Sequence, residues 1–266
     1  ICNKYVEECV SLADHSEVKR LSIDETSKAR GHDYITLAAD ADARKVIFVT
    51  EGKDADAIKE LAAELTAHGG DPQRIGSVSI DMSPAFIKGV SEHLGQAEIT
   101  FDKFHVVAKA GTAVDETRRK EQKRDPALKG MRWKLLRDPE SLGQEDRTEL
   151  DALIARATTI RTARAWLYKE QLREILQRKQ INVVRALLLH WCSNVMRSKV
   201  EPMKAVAAMI RRHIDGIIAW ARSRQTNGYI EAVNGLFQSA KRKARGYSNF
   251  QTIRTVVFLI AGKLDF

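Results

Sequence analysis

Cysteine is nearly absent from this chain. The three that occur, Cys2, Cys9 and Cys192, are scattered and form no Cys-x-x-Cys pair, so neither a zinc site nor a disulfide framework is in view. Free thiols in a reducing cytoplasm are the default for such a set, and a cytoplasmic setting is expected. Aromatic residues make up only 6% of the 266 positions, so the core must come mainly from Val, Ile, Leu and Ala. No apolar run approaches the roughly 20 residues a membrane helix needs. The longest, Val256 to Ala261, reads as a buried segment, and no membrane partner is expected. Internal repeats and low-complexity linkers are missing too, which sets aside a repeat architecture.

What the chain has in quantity is positive charge. Lys and Arg number 44 against 35 acids, a net charge of +9. Such a surface suits a polyanionic partner, because cationic patches gain by releasing condensed counterions. Charge alone weighs this reading evenly against a basic surface that merely aids solubility. With 44% hydrophobic content the chain can bury one large domain, or a domain carrying an insertion. It opens on Ile1 rather than Met, which reads as a piece of a longer protein.

Two textures follow one another. From Leu21 to Phe104 short β-rich runs alternate with helical patterns. Leu21-Ser-Ile-Asp-Glu, Tyr34-Ile-Thr-Leu-Ala-Ala and Lys45-Val-Ile-Phe-Val-Thr read as an antiparallel meander. An amphipathic helix is expected over Ala55 to His68, stopped by Gly69-Gly70. A fourth strand over Ile75 to Ile80 ends at Asp81. Ser83-Pro84 then opens a helix, Ser as cap and Pro at its first position, and a fifth strand over Ala97 to Phe101 ends at Asp102. Beyond Phe104 the strand signal stops. Helices are expected over Val106–Lys123, Glu145–Thr159, Ala163–Arg178, Val183–Arg197 and Met203–Arg224, then over Gly228–Arg245 and Phe250–Lys263.

The order β-β-β-α-β-α-β followed by helices is that of a ribonuclease H-like α/β core: a mixed five-stranded sheet with flanking helices, interrupted by an all-helical insertion before its last catalytic helix. The expected boundaries are a helical connector over 1–20, the core over 21–109 and 226–266, and the insertion over 110–225.

Asp24 lies in the first strand and Asp81 just past the fourth, and these strands are neighbours in this topology. Carboxylates facing each other across adjacent strands call for a cation between them, since bare carboxylates repel. Hard oxygen ligands suit Mg²⁺, and two such ions can clamp the attacking and leaving oxygens of a phosphodiester. Taken singly, each Asp is more often a turn or cap residue. Glu231 sits early in a helix, with Asn227, Asn234 and Arg242 within roughly 60° of it around the helix axis. An ordinary amphipathic helix is the competing reading. Asn and Gly near a helix start are poor helix formers, though an N-cap role for Asn227 or Gly228 accounts for part of that.

The blocks Ile23-Asp-Glu-Thr-Ser, Gly31-His-Asp-Tyr-Ile-Thr-Leu, Asp81-Met-Ser-Pro-Ala-Phe, Phe101-Asp-Lys-Phe-His-Val-Val, Ala113-Val-Asp-Glu-Thr-Arg-Arg, Asn227-Gly-Tyr-Ile-Glu-Ala-Val-Asn and Lys241-Arg-Lys-Ala-Arg-Gly-Tyr-Ser-Asn-Phe resemble, in order, the ISL-three-type transposases of bacterial insertion sequences. The resemblance runs from about Val18 to the C-terminus. It implies an Asp-Asp-Glu transposase with Asp24, Asp81 and Glu231 as catalytic, metal-holding triad, Mg²⁺ as cofactor and Mn²⁺ able to substitute. It also implies transposon-end and target DNA as partners, and a homodimer or higher oligomer on that DNA. Asp102 and His105 look like the Asp-x-x-His element such enzymes place after the second acid, His105 as a neighbour of the active site rather than a ligand. With Asn227 and Asn234 they complete the expected surroundings.

Two departures stand out. Ala232 replaces the Gly the family usually has after the glutamate, and the N-terminal zinc-binding and helix-turn-helix region the family usually carries is not in the chain. Arg118-Arg119-Lys120, Lys123-Arg124, Arg211-Arg212, Arg222 and Arg224 are a candidate DNA track. The strongest expectation for DNA contact falls on Lys241, Arg242, Lys243 and Arg245, on the helix that carries Glu231. Two other readings stay open: a ribonuclease H-like nuclease or resolvase, and a truncated or domesticated remnant that binds DNA without cutting it.

Overall fold

The computed structural model describes residues 2–264 apart from positions 30 and 32. Ile1, His32 of the Gly31–Leu37 block and the last two residues of the 226–266 segment therefore lie outside the described residues. The chain packs as two units, Ile1–Asp102 with Ser223–Phe266, and Lys103–Arg222.

The first unit opens with α1 (Cys2–Ser11) and continues through β1 (Arg20–Ser27), β2 (Tyr34–Asp40) and β3 (Lys45–Glu51). Then come α2 (Ala55–Ala67), β4 (Ser77–Ile80), α3 (Pro84–His93) and β5 (Glu98–Phe101). Its closing helices follow the second unit and are labelled below. The sheet order is β3-β2-β1-β4-β5. β1, β2 and β3 pair antiparallel, while β1, β4 and β5 run parallel. Parallel neighbours need a crossover, and α2 and α3 supply it. Their packing is close: a Cβ on Gly89 of α3 would stand 2.8 Å from Cβ of Ile58 on α2. Asp54 starts α2 by accepting the Ala57 N–H.

The second unit is all helical: α4 (Lys103–Glu121), α5 (Arg132–Leu136), α6 (Gln144–Ile154), α7 (Arg161–Gln177), α8 (Ile181–Met196), α9 (Glu201–Arg212) and α10 (Ile214–Ser223). Back in the first unit, α11 (Gly228–Lys243) and α12 (Phe250–Ala261) close the chain.

One face of the sheet is built with α1, α11 and α12. Ile35, Leu37 and Ala39 of β2 join Val6 and Val10 of α1, Ile230, Val233 and Phe237 of α11, and Ile253 and Val257 of α12 in one core cluster. Side chains that lie opposite across paired strands share a face. Ile35, Leu37 and Ala39 stand opposite Thr26, Asp24 and Ser22. The even positions of β1 therefore point to the α11 side, and Leu21 and Ile23 to the other. This pleat decides where the first acid goes.

Several element limits differ from those the sequence predicts. β4 begins at Ser77 rather than Ile75, and Ser83 makes no side-chain cap, so Pro84 opens α3 while Asp81 takes the Ser83 N–H. The helix expected over Met203–Arg224 is two, broken at His213. The one expected over Glu145–Thr159 ends at Ile154. α4 starts at Lys103 and runs unbroken through residue 110. Among the described residues, no helix is long and apolar enough to cross a membrane.

Candidate active site

Three strand ends carry the same short pattern, a small hydroxyl residue, an apolar residue and an aspartate: Ser22-Ile23-Asp24, Ser79-Ile80-Asp81 and Thr100-Phe101-Asp102. Ser22 pairs with Ser79, and Ser79 with Thr100. Carrying that register two residues on sets Asp24, Asp81 and Asp102 in one row across β1, β4 and β5, about 4.8 Å from strand to strand. The hydroxyl row beneath is buried; of the aspartates, Asp24 and Asp81 are half-buried and Asp102 is fully buried.

α11 lies along β1 and is stitched to it residue by residue. Just before the helix, Gln225 donates to the Leu21 carbonyl at 2.6 Å and accepts from the Ser77 hydroxyl at 2.7 Å, tying β1 to β4. Asn227 Nδ2 donates to the Ile23 carbonyl at 3.4 Å. Asn234 Nδ2 donates to Asp24 Oδ2 at 2.7 Å. Gln238 reaches the Thr26 hydroxyl and the Ser27 carbonyl, and Lys241 the Ser27 carbonyl. Positions 227, 231, 234, 238 and 241 follow the 4-3-4-3 spacing of a single helix face. Glu231 is the member of that stripe between Asn227 and Asn234, so it is held over the stretch of β1 that carries Asp24. The adjoining stripe, Ile230, Val233 and Phe237, buries itself in the core and stops the helix from rotating. Ala232 is exposed and faces away from both.

Asp102 has a different job from a simple member of the row. It is fully buried, and its Oδ2 accepts the backbone N–H of Asn227 at 2.7 Å, the N-cap position of α11. A carboxylate there satisfies an orphan donor and complements the positive end of the helix dipole. Asn227 makes no side-chain cap of its own. Asp81 is half-buried, and its Oδ1 accepts the Ser83 N–H at 2.8 Å, so the turn role usual for a strand-end Asp is realised alongside its place in the row.

The remaining expected residues are placed as follows. His105 stands in the first turn of α4, in the second unit. Lys241 is half-buried against Ser27 and Lys28, and burial, followed by the nearby Arg242 charge, lowers its ammonium below the usual range. Arg242, Lys243 and Arg245 are exposed, with Arg242 donating to the Ser239 hydroxyl. Arg242 and Arg245 line a groove of about 590 Å³ with Lys28 and Tyr247. Arg118, counted in the basic track, is buried and held by Asp115 and Gln122, so it offers no charge to a partner. Gln225 and Gln238 are site residues beyond those the sequence predicts, although the helix-face spacing that contains Glu231 also contains Gln238.

The donor set is hard oxygen throughout, as Mg²⁺ requires. Among the described residues, Asn234 Oδ1 is a buried acceptor with no hydrogen-bond partner, next to the carboxylate its own amide orients. Among the described residues, no group of three or more His, Cys, Asp or Glu side chains is placed to hold a metal ion. Sites for Mg²⁺ use one or two carboxylates with waters and substrate phosphate rather than an all-protein cage, so the residues fit such an ion.

A mixed sheet in this order, an acid row across its parallel strands and a glutamate helix laid on the first strand define a ribonuclease H-like core. A family model described as a transposase, of the ISL3 DDE type, matches residues 21–257, and the chain belongs to that family. It is 29% identical over 243 residues to the transposase for insertion sequence element IS1001 of Bordetella parapertussis, covering 88% of this chain and 59% of that one. It is also 29% identical over 276 aligned residues to the transposase for insertion sequence element IS1557 of Mycobacterium tuberculosis, covering 92% of this chain and 60% of that one. The chain thus spans about three-fifths of the length of these curated relatives.

Proposed function

We propose that this chain is the catalytic core of an insertion-sequence transposase, which cuts a DNA strand at the element end and joins the freed 3′-hydroxyl to target DNA. The observation that carries this reading is the clamp of α11 on β1, which holds Glu231 over the strand bearing Asp24 with Asp81 next in register.

Asp24, Asp81 and Glu231 would hold the divalent metal, Mg²⁺ with Mn²⁺ able to replace it. When bound, it activates the attacking oxygen and stabilises the leaving one. Asn234 fixes the rotamer of Asp24 through its amide. Asp102 fixes the start of α11, and so the height of Glu231 one turn later. No side chain has to act as nucleophile, because water and then the 3′-hydroxyl attack phosphorus in turn. Transposon ends and target DNA are the partners, held by a homodimer or higher assembly in the bacterial cytoplasm.

The test is metal-dependent cleavage of DNA bearing the element ends, with Asp24→Ala, Asp81→Ala and Glu231→Ala compared with the parent. Each variant is expected to lose cleavage, and full activity in any one removes it from the triad. Products carrying newly joined ends separate a transposase from a nuclease or resolvase that only cuts.

A further inference from the structure

The second unit contains a cleft of about 650 Å³ whose rim is strongly basic. Lys120 comes from the last turn of α4, Lys123 and Arg124 from the segment after it, Arg161 from the first residue of α7, and Lys199 from the segment before α9. All five are exposed. Buried Ile160 and Val200 lie between them as an apolar floor.

The carboxylates on the same walls are already engaged. Glu121 accepts the backbone N–H groups of Arg161 and Thr162 and the Thr162 hydroxyl, capping α7. Asp125 pairs with Arg156 at 2.8 Å and caps the short turn that follows it. Glu201 pairs with Lys204 at 2.8 Å. Among the described residues, none of the five cations pairs with a carboxylate. Nor do they belong to the solvated face of one helix, since separate segments of the chain bring them together. Like charges gathered this way repel, and an anion in the cleft reverses the sign of that energy. A single phosphate would leave most of five charges uncompensated, whereas a nucleic-acid backbone brings one negative charge per phosphate.

We infer that this cleft is a DNA-backbone binding surface, separate from the basic residues of α11. It rests on the reading that the chain handles DNA, and its role is to hold the duplex by its phosphates without reading sequence.

The test is fluorescence anisotropy of a labelled duplex across a salt series. The whole chain is compared with Lys120→Gln/Lys123→Gln/Lys199→Gln, and with Lys4→Gln/Lys59→Gln/Lys88→Gln, exposed lysines of α1, α2 and α3 that change net charge equally. The slope of log affinity against log salt is expected to fall by about 3 in the cleft variant, about one per lost phosphate contact, and by less than about 1 in the control. Equal slopes in the two triples overturn the inference while leaving DNA handling intact. Absence of salt-dependent binding in the parent chain overturns both readings. If the cleft triple folds poorly, Arg124→Gln/Arg161→Gln serves instead, with an expected fall of about 2, and an unchanged slope there is equally decisive.

Discussion

Asn234 Nδ2 donates to Asp24 Oδ2 across 2.7 Å, joining residues 210 positions apart in sequence. The contact links the helix of the proposed third acid directly to the first. It fixes the aim of the carboxylate proposed as the first of the triad.

Replacing Asn234 with Ala leaves Asp24 free to turn. Misplacement of a reacting group by about 1 Å can cost about a hundredfold in rate. Asn234→Ala is therefore expected to lower kcat of strand cleavage about 10- to 100-fold while KM for DNA stays within about twofold. A change confined to KM would assign Asn234 to DNA contact instead.

Asp102→Ala leaves the buried Asn227 N–H without its acceptor. An unsatisfied buried donor costs about 1–3 kcal/mol, and a chain of this size loses about 2–4 °C of Tm per kcal/mol. Hydrogen exchange at the Asn227 amide is expected to accelerate ahead of exchange in β2. Asp102→Asn, which keeps an acceptor oxygen, recovers most of the protection. Unchanged exchange in Asp102→Ala would show that α11 is held without this cap.

Gly89→Ala tests the α2–α3 crossover layer. The added methyl would meet Ile58 Cβ and Cγ1 at 2.8 Å and the Ala55 carbonyl at 3.1 Å, and neither is the loose end of a long side chain. Overpacking of this kind costs about 1–3 kcal/mol. A matching drop in thermal stability is expected, and a Tm equal to the parent's would show that the two helices can separate freely.

Cys192 is buried in α8, and burial pushes its thiol up from an ordinary value near 9.0 to about 11. At pH 8 its thiolate is about a hundredfold scarcer than that of an ordinary cysteine. Alkylation of the native chain is expected to label exposed Cys2 rapidly and Cys192 only after unfolding. The folded pKa is raised, so this thiol's contribution to stability is fully present below about pH 9 and is lost as pH rises toward 11. Labelling of Cys192 at the rate of Cys2 in the folded chain would contradict this.

Much of the first unit is legible in the sequence, because short β-branched runs, glycine turns and an amphipathic helix stopped by Gly69-Gly70 are local signals. The hydroxyl–apolar–aspartate pattern at 22–24, 79–81 and 100–102 forms no part of the expectations drawn from sequence, since only the register of three parallel strands turns it into a row, and pairing across 57 residues leaves no local trace. The same holds for Asp102. Nothing near it in sequence reveals that it caps a helix beginning 126 positions later, at Gly228. The break at His213 leaves no sequence signal, because the apolar spacing runs straight through from α9 to α10. Gln238 reads as a solvent-facing amide of a helix, and Gln225 as a linker residue between helices, until the strands they serve are known.

The most direct test of the acid triad is Mn²⁺ binding followed by electron paramagnetic resonance, which needs neither element ends nor target DNA. The parent chain is predicted to remove Mn²⁺ from the free-ion signal, and Asp24→Asn, Asp81→Asn and Glu231→Gln each to weaken that binding at least tenfold while remaining folded. Binding as tight in all three variants as in the parent would contradict the account.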